Sequence, residues 1–178
     1  MDVLFLHGPA AVGKYTIGTL LSTLLDRPLF HNHLVVDAVL GLFEFGSPAF
    51  CQAREDMWLT AFKTAAVVGQ SFVFTFTPEA SVAPDLVSRL QAEVSERGGR
   101  VWYVELVCSA ASQEVRLQHP ARAQFAKLRD VTVLRSLRAQ GVFDFPALPP
   151  PLLRIDTDCL APIEAARQIA TTYANATQ

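Results

Sequence analysis

The run from His7 to Thr16, HGPAAVGKYT, constrains this chain more than any other stretch. It follows DVLFLHG, a short apolar segment that reads as a strand buried on both faces. It opens onto Lys14–Leu25, where Ile17, Leu20, Leu21, Leu24 and Leu25 recur at helical spacing until Arg27-Pro28 stops them. Gly8, Gly13 and Lys14 keep the spacing of a phosphate-binding loop, and strand, glycine loop and helix is the context that spacing needs. In such a loop, successive backbone N–H groups wrap a phosphate, aided by the positive end of the helix that follows. Gly8, Pro9, Ala10, Ala11, Val12, Gly13, Lys14, Tyr15 and Thr16 are therefore the candidate nucleotide-binding residues, with Lys14 reaching the β- and γ-phosphates. A glycine-rich turn with a solvated lysine is the alternative.

Tyr15 is discordant, because the position after the lysine normally carries a small hydroxyl that binds magnesium. A phenol on a long flat ring cannot occupy that space. Thr16 is the nearest alternative hydroxyl and the candidate metal residue. One residue farther round the helix start is a turn of about 100°, which directs Thr16 toward a phosphate oxygen more than toward the usual metal position. Magnesium would then rest on phosphates, water and a carboxylate elsewhere, as its preference for water ligands allows.

At 178 residues, 51% of them hydrophobic, the chain suits a single domain with a substantial core. A formal charge of -2 with 18% charged residues gives no reason to expect nucleic acid as partner. Cys51, Cys108 and Cys159 are scattered without metal-ligand spacing and read as reduced packing thiols of a cytoplasmic protein. No export signal or membrane-spanning run is expected. Strands are expected at PLFHNH, SFVFTFT, RVWYVELVC and LLRIDT, and helices at Leu34–Phe43, Ala49–Val68, Pro84–Arg97 and from Pro162 to Tyr173. This alternation predicts an α/β fold, a mainly parallel five-stranded sheet with helices on both faces.

With that loop in that place, the chain resembles the compact P-loop kinases of the shikimate, gluconate and nucleoside monophosphate kinase group. The resemblance spans nearly the whole chain, although the loop is its specific match. It implies a three-layer α/β/α fold of P-loop NTPase type with strand order 2-3-1-4-5, ATP as donor, Mg2+ as cofactor, and a closing lid, here at about residues 109–146. Shikimate kinases carry an Asp-x-Asp pair after the second strand, whereas this chain has HNHLVVD, with His31 and His33 at about those places and Asp37 one turn farther. The acceptor is therefore not transferred by the resemblance.

His31, Asn32, His33 and Asp37 are expected at the C-terminal edge of the sheet beside the loop, either as acceptor-binding residues or as capping and loop-bonding residues. Asp37 could take the acceptor's proton or orient His33 to do so, since i and i+4 share a helical face. Arg54 either clamps an acceptor anion with its planar fork or pairs with a nearby acid. Between Arg116 and Arg138, six basic residues (Arg116, Arg122, Lys127, Arg129, Arg135 and Arg138) face one acid, Asp130. That excess fits a lid over phosphates, with Arg122 and Lys127 preferred for stabilising transferred charge, or else a solvated helical face. Asp130 is expected to cap the helix VTVLRSLRA, and Asp156, Thr157 and Asp158 either border the adenine or turn the chain. The leading expectation is an ATP-dependent kinase of a small molecule. A catalytically weak nucleotide-binding module, favoured by Tyr15, and a simple NTP hydrolase are its rivals.

Overall fold

The computed structural model describes residues 1–120 and 128–177. In chain order it comprises β1 (Asp2–His7), α1 (Lys14–Leu25), β2 (Leu29–His31), α2 (His33–Leu40), α3 (Pro48–Val68), β3 (Phe72–Phe76), α4 (Leu86–Ser95), β4 (Arg100–Val107), α5 (Ala110–Leu117), α6 (Val131–Ala139), β5 (Leu153–Asp156) and α7 (Pro162–Ala176). The five strands form one sheet in the order β2-β3-β1-β4-β5, every pair parallel. This is the expected class and strand order.

Side chains alternate across the sheet and divide the core in two. Val3 and Phe5 of β1 join Phe72, Phe74 and Phe76 of β3 beneath α2, α3 and α4, where Trp58, Phe62 and Leu90 meet them. The Phe5 and Phe62 rings each stand 5.0–5.1 Å from Phe74. Leu4 and Leu6 turn to the other face, with Val104, Leu106 and Ile155, against Ile17 and Leu21 of α1 and Ile169 of α7. Both faces being covered explains why the strands read as unbroken apolar runs.

Local chemistry sets most boundaries. Ser47 caps α3 by accepting from Phe50 N–H, Pro48 starts it, and Gly69 at φ 71° ends it. Asp130 accepts from the backbone of Thr132 and Val133, as expected of the cap of α6. Two helices are shorter than expected. α2 ends at Leu40 because Leu42 and Phe43 N–H both return to Val39 in a tightened last turn, and α4 loses its ends to turns at Pro84–Asp85 and Glu96–Gly98. α7 runs past Tyr173 to Ala176. No helix of the described residues is long and apolar enough to cross a membrane.

Candidate active site

Parallel strands bring their C-terminal ends to one edge, and β1 delivers the glycine loop there. At Gly8 a Cβ would lie 2.2 Å from the Leu106 carbonyl oxygen of β4, so the loop can leave the sheet only through glycine. Gly13, at φ 104°, turns the chain into α1. Between them the Ala10 carbonyl accepts from Gln113 Nε2 at 2.8 Å. Carbonyl and N–H point oppositely in a trans peptide, so this bond turns the Ala11 N–H away from Gln113 and fixes part of the loop's donor array. Lys14 is buried, and its Nζ donates to the Gly8 and Pro9 carbonyls at 2.6 and 2.7 Å. Its ammonium is thus held at the loop itself. Burial, and then the charge of Lys14, pushes the His7 imidazole down to about 4, keeping it neutral under the loop.

The loop residues from Ala10 to Thr16 form one wall of a cavity of about 960 Å³. Tyr15 and Thr16 both line it, and Thr16 is exposed. The Tyr15 ring packs edge-to-face on His31, with centroids 5.0 Å apart. Across from the loop stand His31, Asn32 and His33. Asn32 N–H donates to Thr75 Oγ1, which holds the end of β2 against β3. Asp37 is not among the described residues that line the cavity. Its Oδ1 lies 3.5 Å from His33 Nδ1, so it bears on the cavity through that imidazole.

Arg54 does not extend as a clamp for an acceptor anion. It is 0% exposed, lies over the rings of Phe50 and Trp58, and its fork is already closed. Nη1 donates to Glu79 Oε1 at 2.8 Å and to Ser81 Oγ, and Nη2 to the Ser81 carbonyl. The nearer carboxylate partner lies on the loop after β3, with Glu55 of the same helix at 4.0 Å from Nη2, and a full charge so deeply buried requires such partners. Glu79 also lines the cavity and is its carboxylate among the described residues. Among those residues, no group of three or more His, Cys, Asp or Glu could hold a metal ion.

The basic segment is less basic in space than along the chain. Glu114, just outside the stretch that looked so charged, pairs with Arg135 and Arg138, and these hold its carboxyl below the ordinary value. Arg138 also donates to Gln113 Oε1. Arg116 lines the cavity while bonded to Thr157 and Asp158. Thr157 and Asp158 therefore tie the tip of β5 to α5, with Asp158 also accepting from Ser109 N–H and Asp156 from Asp158 N–H. Arg122 and Lys127 lie outside the described residues. What α6 and the loop behind it bring to the cavity is apolar: Val133, Leu137, Val142 and Phe143. Gln113, this apolar wall and the Arg54–Glu79 pair were not singled out from the sequence. The four-residue spacing of Gln113 and Leu117, both buried on α5, was the available signal.

No protein-family model matches the sequence, and no curated protein does. Solved structures match along nearly its whole length. A kinase candidate from Chloroflexus aurantiacus J-10-fl superposes with a TM-score of 0.68 at 21% identity, covering 96% of this chain and 97% of that one. A sugar kinase from Janibacter sp. HTCC2649 gives 0.65 at 14% identity, with 97% and 94% covered. The Mycobacterium tuberculosis APS kinase CysC, in complex with AMPPNP and APS, gives 0.62 at 16% identity, with 97% and 95% covered. At these identities the likeness is one of fold, and that fold is the one shared by small P-loop kinases.

Proposed function

We propose, for a chain with the fold of the small P-loop kinases, that it moves the γ-phosphoryl group of ATP to a small-molecule acceptor. The observation that carries this reading is the continuity of one cavity from the glycine loop to the His31–Asn32–His33 wall. At about 960 Å³ it stands at the upper end of ligand sites, large enough for donor and acceptor side by side. The residues fit a nucleotide: a glycine loop that leads from β1 into the N-terminus of α1, and an ammonium already bound by two carbonyls that phosphate oxygens would replace.

In this reading the loop amides and Lys14 hold the β- and γ-phosphates. The acceptor's hydroxyl oxygen bonds to the γ-phosphorus as the bond to the β,γ-bridging oxygen breaks, and ADP leaves. The hydroxyl proton passes to His33 Nε2, because Asp37 beside Nδ1 favours the tautomer with Nε2 open and stabilises the imidazolium that forms. Arg122 and Lys127 are proposed for the lid's charge stabilisation. Mg2+, when bound, would neutralise phosphate charge, with Thr16 and water completing what the phosphates supply.

A second reading, a nucleotide-binding module without efficient transfer, is favoured by the Tyr15 ring, which sits on His31 where a metal-binding hydroxyl belongs. ATP consumption measured with and without a pooled set of hydroxyl-bearing metabolites, beside nucleotide binding, separates the two. Acceptor-dependent ADP release supports the kinase. Micromolar ATP binding without turnover supports the module, and acceptor-independent hydrolysis supports neither.

A further inference from the structure

The character of the acceptor follows from the walls of the cavity, on the reading that the protein is a kinase. We infer that the acceptor is an uncharged molecule with an apolar or aromatic body that presents a hydroxyl group. Val36, Phe45 and Trp58 from the α2–α3 region and Val133, Leu137 and Phe143 from α6 and the loop behind it line the same cavity. That loop is anchored beside Arg54 and Glu79, since Ala80 N–H donates to the Val142 carbonyl at 2.7 Å. Val115 is 74% exposed, Phe45 54% and Val133 44%, so three large apolar side chains are left to water on the walls of a cavity rather than on a convex surface. Such surface gains from being covered, and the molecule that covers it must be apolar where it touches.

Charge points the same way. The described cations on the cavity wall are Lys14, Arg54 and Arg116, and each is engaged: Lys14 by its own loop, Arg54 by Glu79 and Ser81, Arg116 by Thr157 and Asp158. An anionic acceptor at Arg54 would compete with the Glu79 carboxylate for a closed fork and would lie beside a like charge. A neutral hydroxyl instead finds partners in His33, Asn32 and Glu79 without displacing an ion pair.

The test uses the full chain with N-phenyl-1-naphthylamine, a neutral dye that brightens in apolar surroundings, in the presence of AMPPNP. The dye should bind, and 4-phenyl-1-butanol should displace it while gluconate and shikimate do not. Phe45→Asp and Val133→Asp, both at partly exposed positions and checked for fold by circular dichroism, should each weaken the dye about tenfold. Val68→Asp, 70% exposed at the far end of α3, should leave it unchanged. Dye binding equal in all three variants overturns the inference, as does displacement by gluconate or shikimate. Phosphoryl transfer to either of those acids also overturns it while leaving the kinase standing. Dye and alcohol binding that depends on Phe45 and Val133, with no transfer to any acceptor, sustains the neutral apolar site and removes the kinase.

Discussion

The two ends of β1 handle polar groups in opposite ways. At its start, Asp2 is saturated: Tyr173 donates to Oδ2 at 2.6 Å, Trp102 to Oδ1 at 3.2 Å, and Asp2 N–H donates to Ser71 Oγ. Arg27 donates to Tyr173 in turn and lies over its ring. Burial works against the Asp2 carboxylate, but the hydrogen bonds from Tyr173 and Trp102, with Arg100 and Arg27, hold its carboxyl below the ordinary value. At the other end, His7 is buried with Nε2 lacking a hydrogen-bond partner among the described residues, and so are Arg54 Nε and Trp58 Nε1 near the cavity. One end joins α7, β4 and the loops before β2 and β3 into a closed network. The other leaves donors uncommitted and sets its lysine on backbone carbonyls. The closed network and the cavity lie at opposite ends of one strand.

The comparison breaks most readily on pH. His7 titrates at about 4 in the fold against 6.5 unfolded, so below pH 6.5 the unfolded chain takes up a proton that the native one refuses. Stability should be full above pH 6.5 and fall by about 3 kcal/mol as pH drops to 4. His7→Gln should flatten that part of the denaturation-midpoint profile, and an unchanged slope would place the loss elsewhere. Next in size, Lys14→Ala should weaken ATP by about 10–100-fold, from about 1.5–3 kcal/mol of charge-assisted contact, and weaken AMP much less. Calorimetric titration showing equal losses would remove Lys14 from the β- and γ-phosphates. At the lower edge, Tyr173→Phe should cost about 1–2 kcal/mol in chemical denaturation with no change in ATP affinity. A change in affinity would mean that the two ends are coupled. Smallest, Tyr15→Ser should tighten ATP in a magnesium-dependent way by about 1 kcal/mol, the scale of one added ligand contact. An unchanged magnesium response would mean that the metal shell is complete without it.

The sequence disclosed best what is local. Strand, glycine loop and helix around Gly8–Thr16 depend on residues within a few positions of one another, as do the caps at Ser47 and Asp130. The strand order came with the resemblance. Arg54 was legible as a residue that either clamps an anion or pairs with a nearby acid, but not as the partner of Glu79, which lies 25 residues away and is brought to it by the fold. The charge of the segment expected to form a lid was overstated for a similar reason. Glu114 is outside the run but one helix contact from Arg135 and Arg138. The ends of α2 and α4 depend on turns that propensity alone does not fix.

Gln113 links two separate elements with a single amide, donating to the Ala10 carbonyl of the glycine loop and accepting from Arg138 of α6. Reciprocity then applies to them. A nucleotide that reshapes the loop at Ala10 shifts the docking of α6 by the same factor by which docking of α6 shifts the affinity for that nucleotide. On the proposed reading, substitutions at Arg138, or at the Glu114 that steadies it, would alter the nucleotide site from a helix whose arginine is not on the cavity wall.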